Sequence, residues 1–256
     1  MIKKFLIFLI FCLALNTRAS FSREFRGMWV ITWEIFRDGK GGRFYTDPEI
    51  KTNIVSILDN LKKKGFNQVI WQVRQGGTSY YRSSFEPWGR HLNYRTPSFD
   101  PLRFAIKKAH ERGLKLHAWI NTFEARENVP GTPVYNHPEW LCLDKAGRPM
   151  PEKFALSPGL PAVRNYLNKV ILEIVNNYKI DGIHLDYIRY SEYPIDKSDF
   201  NDYVRGEYLF DRKNKYRETP PVGFESWDNW RRFQVTSFVK NLNQKIKKFK
   251  PKVILS

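Results

Sequence analysis

The stretch Asp181-Gly-Ile-His-Leu-Asp186-Tyr-Ile-Arg189-Tyr190 carries the residues best suited to chemistry. Side chains alternate along a strand, so His184 and Asp186 share one face while Ile183 and Leu185 take the other. If the apolar face packs on helices, Asp186 points inward at the C-terminal end of its strand. A carboxylate there can act as a nucleophile or as a proton carrier. A buried aspartate that only pairs with Arg189 or Arg74 and orders loops fits the same pattern. In Lys115–Asn121, His117, Trp119 and Asn121 share a face, and Glu124 follows just beyond. In Gln68–Val73 and the residue after it, Gln72 and Arg74 share a face. One inward surface thus gathers Gln72, Arg74, His117, Asn121, His184 and Asp186. That many polar groups are costly in a sealed core unless a ligand or water satisfies them. A sugar, dense in hydroxyls, does so well. The aromatics Trp33, Tyr80, Tyr81, Trp88, Tyr187 and Tyr190 offer faces for pyranose rings, although packing against helices explains any one of them taken singly. His117 and His184 have no H-E-x-x-H or paired-cysteine motif beside them, so they read as hydrogen-bonding residues rather than metal ligands. The sequence has no G-x-S-x-G elbow and no phosphate-binding G-x-x-x-x-G-K-[ST] loop. No metal or cofactor is expected.

The elements that must position these residues repeat one plan of short apolar strand, loop and amphipathic helix. Strands are expected at Gly27–Trp33, Gln68–Val73, Lys115–Asn121 and Gly182–Ile188, with a fifth beginning at Lys252–Ser256. The first helix opens at Asp47-Pro48-Glu49, with Asp47 as cap, and carries Ile50, Ile54, Ile57, Leu58 and Leu61 on one stripe before Gly65. Asp100-Pro101 opens a second helix that stops at Gly113, Pro161 a third, and a fourth runs from about Ser226 to Lys248. Such alternation means parallel strands joined by crossovers. Gly76-Gly77 follows a strand, but no G-x-G-x-x-G spacing opens a helix there, which excludes a dinucleotide turn. The loops after the strands are long and rich in Trp, Tyr, Arg and Asn, as at the C-terminal rim of a (β/α)8 barrel, where active sites are built. The expected fold is therefore α/β, of the (β/α)8 TIM-barrel type. The chain supplies strands only to about the fifth, and the expectation is a barrel truncated near Ser256.

The chain has 256 residues, with Lys+Arg 43 against Asp+Glu 26, for a formal charge of +17. Aromatics at 16% argue against disorder, and 2 cysteines exclude a disulfide-dense scaffold. Lys3 and Lys4 precede an apolar run from Phe5 to Leu15, and Asn16-Thr17-Arg18-Ala19 follows with small residues at Thr17 and Ala19. This reads as a signal peptide over residues 1–19, too short to span a ~30 Å hydrocarbon core, so no membrane span is expected after cleavage. Anchoring as a lipoprotein through Cys12 is the lesser alternative, because bulky Phe11 precedes it. Removal of residues 1–19 takes away Lys3, Lys4 and Arg18 and no acids, which leaves +14 on residues 20–256 and Cys142 as the single thiol. An exported basic protein is not expected to act on genomic nucleic acid; envelope polymers are the natural targets.

The segments Arg26-Gly-Met-Trp, Phe66 to Arg74, Ser84-Phe-Glu-Pro-Trp88, Phe99-Asp-Pro-Leu102, Ala109 to Trp119, His137-Pro-Glu-Trp140, Asp181 to Tyr190 and Trp230-Arg-Arg232 occur in order along the chain. They resemble the glycosyl hydrolase-like ten group, exported bacterial proteins with a (β/α)8 barrel distantly similar to the α-amylase type. The resemblance implies that Asp186 matches the nucleophile position, that His184 stands where that type carries an arginine, and that His117 and Asn121 fall on the third-strand positions. One branch of the family acts on peptidoglycan glycan strands stripped of their peptides. Thr78 departs from the pattern, since many members carry an aspartate there, and members continue through further strands where the amylase-type acid lies. The expected activity is retaining glycoside hydrolysis in the periplasm or cell envelope, with Asp186 as nucleophile and Glu124 as the partner carboxyl. Gln72, Arg74, His117, Asn121, His184, Tyr187, Arg189, Trp33 and Trp88 are the expected sugar contacts. The alternatives are a glycan-binding protein without catalysis, an inactive fragment of such an enzyme, and a basic protein that captures anionic polymer by charge alone.

Overall fold

The structure, a computed structural model, describes residues 24–142, 155–190 and 222–256. The expected signal segment lies outside the described residues. No described helix is long and apolar enough to cross a membrane.

The chain builds β1 (Gly27–Val30), α1 (Thr32–Phe36), α2 (Asp47–Lys63), β2 (Gln68–Gln75), β3 (Thr78–Ser79), α3 (Pro101–Glu111), β4 (Lys115–Asn121), α4 (Pro133–Asn136), α5 (Pro161–Asn177), β5 (Gly182–Asp186), α6 (Trp227–Phe249) and β6 (Ile254–Leu255). One sheet takes the order β1-β2-β4-β5-β6, every neighbouring pair parallel, with β3 folded back antiparallel on β2. This is the partial, barrel-like α/β sheet that strand–helix alternation implies. Gly76 and Gly77, at φ 66 and 79, make the two-residue hairpin turn from β2 to β3. Two positive φ angles in succession suit glycine, and they give that turn the twist of its strands.

The register sorts the strand residues cleanly. Val69, Trp71, Leu116, Ala118, Ile120, Ile183 and Leu185 join one core cluster with Ile50, Ile54 and Leu58 of α2, Leu102 and Ile106 of α3, Leu167 and Ile171 of α5, and Leu242 of α6. The opposite face pairs Gln72 with Trp119, Trp119 with His184, and Asn121 with Asp186. Gly182 pairs with His117 on that face, and a Cβ added at Gly182 would lie 2.2 Å from His117 Nδ1. The ring occupies the space that a side chain would fill.

Several features differ from the sequence expectation. The first strand ends at Val30, and Trp33 lies in α1 instead. The cap of α2 is Thr46, whose backbone and hydroxyl both donate to Glu49 at 2.8 Å. Asp47 is taken elsewhere, accepting from Ser98 N–H at 2.6 Å and Arg95 at 2.5 Å. Glu49 also pairs with Arg43, and together these donors hold its carboxyl down at about 2.

The third difference concerns Arg74. The β2–β4 register shifts between Gln72 and Arg74, so Arg74 falls opposite Ile120, a core-side residue. The irregularity breaks alternation at Val73 and takes Arg74 off the face of Gln72. Its guanidinium is fully buried and pairs with Glu86 at 2.7 Å, which is also fully buried. Nη1 donates to the backbone carbonyls of Asn121, Thr122 and Glu124. Tyr166 of α5 donates its hydroxyl to Glu86 at 2.9 Å. Truncating Glu86 to alanine strands the buried guanidinium, and chemical denaturation should show a loss of about 3–5 kcal/mol.

Candidate active site

At the C-terminal ends of β4 and β5 the concave face carries its polar residues. Asp186 Oδ2 accepts from the indole Nε1 of Trp119 at 3.1 Å, and Oδ1 accepts from the backbone N–H of Tyr187 at 2.7 Å. Tyr187 stands at φ 49, an uncommon conformation for a residue with a Cβ, and it ends the strand two residues before the expected Ile188. Backbone bonds from Thr122 N–H to Asp186 O at 2.7 Å and from Phe123 N–H to Tyr187 O at 3.2 Å hold that turn.

Beside it runs a chain of amide contacts. Thr32 donates its N–H and hydroxyl to Gln72 Oε1 at 3.1 and 3.0 Å, and Gln72 Nε2 donates to Asn121 Oδ1 at 3.2 Å. Asn121 Nδ2 donates to Glu124 Oε2 at 2.9 Å, which also accepts from Gly76 N–H at 2.8 Å. Arg126 lies 3.6 Å from the other oxygen of Glu124. The network ties the start of α1, strands β2 and β4, and the β2–β3 turn into one unit. Its members are buried and each amide group has a partner, which is the condition for a buried polar cluster to be tolerated.

The structure brings Gln72, Asn121 and Glu124 into direct contact and sets Asn121 beside Asp186 in the register. His184 and His117 share the face, and burial pushes the imidazoles of both below their ordinary value. His184 Nδ1 lies 3.0 Å from the hydroxyl of Ser256. Arg74 is not brought to Asp186; it is spent on Glu86 and on carbonyls. The guanidinium of Arg189 lies 5.0 Å over the ring of Tyr187. Asp186 takes its side-chain hydrogen bonds from Trp119 and Tyr187 rather than from either arginine. Trp88 bridges to Ser79 and packs on the core, and Trp33 turns its edge toward His91 with ring centres 5.9 Å apart. Of the other rim aromatics, Tyr80 and Tyr81 are buried core residues.

Two residues absent from the expected set stand at the centre. Trp29 of β1, 47% exposed, meets Trp119 edge-on at 4.7 Å and His184 at 4.6 Å. Alternation from Gly27 was the available signal, since it puts Trp29 on the inward face. Trp119 shares the face of His117 and Asn121, and its indole N–H has Asp186 as acceptor. An exposed aromatic ring such as that of Trp29 offers an apolar face with a polar edge, suited to a ligand that is apolar on one side. Among the described residues, no group of three or more His, Cys, Asp or Glu is arranged to hold a metal ion.

Behind Trp33 lies His91, 3% exposed, with neither ring nitrogen hydrogen-bonded. Burial and the charges of Arg90 and Arg37 lower it to about 4. The unfolded chain takes up this proton near the ordinary value of ~6.5 and the folded chain does not, so stability is full above that value and falls as the pH drops toward 4. Unfolding measured from pH 7 to pH 4 should lose roughly 3 kcal/mol through this group, and His91→Leu should remove that increment of the slope.

The family model described as Glycosyl hydrolase-like 10 matches residues 24–256. "Glycosyl hydrolase YngK" of Bacillus subtilis is 30% identical over 245 residues, which cover 92% of this chain and 44% of that protein. "Glycosyl hydrolase DigH" of Escherichia coli K12 is 30% identical over 218 residues, covering 78% and 45%. The chain spans less than half the length of these relatives. Among solved structures, a hypothetical protein from Ruminiclostridium thermocellum aligns with TM-score 0.56 at 16% identity, over 90% of this chain and 95% of that one. An α-L-fucosidase isoenzyme from Paenibacillus thiaminolyticus aligns with TM-score 0.56 at 16% identity, over 91% and 32%. At that identity the likeness speaks for the fold, that of barrel glycosidases.

Proposed function

Because the chain belongs to the glycosyl hydrolase-like 10 family, we propose that it is a retaining glycoside hydrolase whose nucleophile is Asp186. The observation that carries this reading is the placement of Asp186. It stands on the polar concave face at the end of a parallel strand, between two N–H donors, with Trp29 and Tyr187 exposed nearby. In the first step an oxygen of Asp186 bonds to the anomeric carbon as the bond to the leaving oxygen breaks, and that oxygen takes a proton from a second carboxyl. Water then attacks the same carbon and releases Asp186, giving its proton to the second carboxylate. Carboxyls about 5–5.5 Å apart serve this route.

Glu124 is the neighbouring carboxyl that the sequence offers as acid. Gly76 and Asn121 both donate to its Oε2, so a proton that it gives leaves from Oε1, the oxygen 3.6 Å from Arg126. Its arrangement suits the ordering of Asn121 beside Asp186. The two roles differ measurably. If Glu124 is the acid, Glu124→Gln loses activity on natural glycans and keeps it on aryl glycosides with activated leaving groups. If it orders the site, both activities fall together.

The substrate we propose is an anionic or neutral glycan of the cell envelope, with peptide-free peptidoglycan strands as the leading case, met in the periplasm after export. The formal charge of +14 on residues 20–256 and the apolar N-terminal run support this. Release of reducing ends from sacculi, with and without prior amidase treatment, tests it. Asp186→Asn should lower turnover at least ~1,000-fold at unchanged thermal stability, since a nucleophile is removed and the fold is not. Wild-type turnover in that variant contradicts the assignment. Saturable binding of the strands without any release would place the chain among non-catalytic glycan binders.

A further inference from the structure

The hydrogen bonds at Asp186 assign a role to a residue outside the expected set. We infer that Trp119 is a positioning residue of the reaction: its indole N–H fixes the Asp186 carboxylate in the orientation from which it attacks. This rests on the reading of Asp186 as nucleophile.

A carboxylate on a single methylene turns about two bonds, and only a narrow range of orientations aims an oxygen at an anomeric carbon. Asp186 meets this requirement with one donor on each oxygen: Trp119 Nε1 at 3.1 Å on Oδ2 and Tyr187 N–H at 2.7 Å on Oδ1. Neither donor can take the proton-acceptor's place, because an indole N–H and a peptide N–H give hydrogen bonds without gaining or losing charge. Trp119 is itself 7% exposed, so its N–H has little water to turn to, and Asp186 is the acceptor the structure gives it. The ring is braced on its flank by Trp29, edge-on at 4.7 Å, and Trp29 in turn leans on His184 at 4.6 Å. The second donor is delivered by the left-handed turn at Tyr187, φ 49, which Phe123 pins through its N–H to the Tyr187 carbonyl. Backbone strain of this kind persists where the surroundings over-determine it, commonly at functional sites. Trp119 and Tyr187 thus approach the carboxylate from the neighbouring strand and from its own chain. A buried indole N–H needs an acceptor whatever its role; what separates a positioning residue from a merely packed one is that turnover depends on that N–H.

The test compares Trp119→Phe, which keeps a ring and loses the N–H, with wild type on soluble peptide-free glycan strands. The expected result is a fall in kcat of about 10- to 100-fold with KM within about twofold, the signature of a misaimed nucleophile rather than lost sugar binding. A second measurement needs no turnover: the Trp119 indole N–H resonance, assigned by its disappearance in Trp119→Phe or another Trp119 variant, should move on Asp186→Ala. Wild-type kcat in Trp119→Phe, a loss confined to KM, or an indole resonance indifferent to Asp186→Ala overturns the inference. Retained turnover in Asp186→Asn, or none in wild type, instead overturns the hydrolase reading on which it stands.

Discussion

The buried ion pair of Arg74 and Glu86 sets the terms for the rest of this structure. Both side chains are withdrawn from water, and such a pair survives only when every remaining donor and acceptor is matched. Arg74 meets that demand by spreading its donors over Glu86 and over the carbonyls of Asn121, Thr122 and Glu124. Those carbonyls belong to the end of β4 and the loop beyond it. The guanidinium is therefore a clamp on the backbone that carries Asn121 and Glu124. Glu86 is held from the other side by Tyr166 of α5, so the helix layer, β2 and the rim loop meet at one charge pair. Its geometry fixes one arrangement of the chain around it, because a buried charge left without its partner is strongly destabilising.

The site follows from that clamp. With the end of β4 fixed, Asn121 receives Gln72 and gives to Glu124, and the β4–β5 register sets Asn121 level with Asp186. Apart from Arg74, the helix-facing strand residues are apolar and belong to the common core, and the other polar strand residues occupy the opposite side. A sheet that gives one face to helices and the other to polar side chains gathers carboxylate, amides and aromatic rings on one surface and leaves the apolar core intact.

Much of this was legible in the sequence. The alternation of His184 and Asp186 against Ile183 and Leu185, and of His117 and Asn121 against Leu116 and Ala118, named the faces correctly, because period two is a rigid property of a regular strand. Asp100 and Ser226 marked helix starts as caps that accept from the backbone, and Pro101 and Pro161 marked them as first helical residues. Arg74 escaped because a register irregularity at Val73 breaks the very alternation that the argument used. Trp33 escaped because the chain turns into a helix after Ile31, and nothing in Ile31-Thr32-Trp33 marks that turn. Trp29 was open to the same alternation argument, while the Trp119 hydrogen bond was not: which neighbour accepts an indole N–H depends on ring orientation across two strands, and spacing carries no record of it.

The central claim is that Asp186 forms a bond to sugar. Mass spectrometry of the chain, incubated with a fluorinated glycoside that carries an activated leaving group, tests this most directly. Fluorine next to the anomeric centre slows hydrolysis of a covalent intermediate more than its formation. The account predicts a glycosyl adduct on the peptide that contains Asp186, and none in Asp186→Asn. Turnover without any adduct, giving a product of inverted anomeric configuration, or an adduct on another residue, would contradict it.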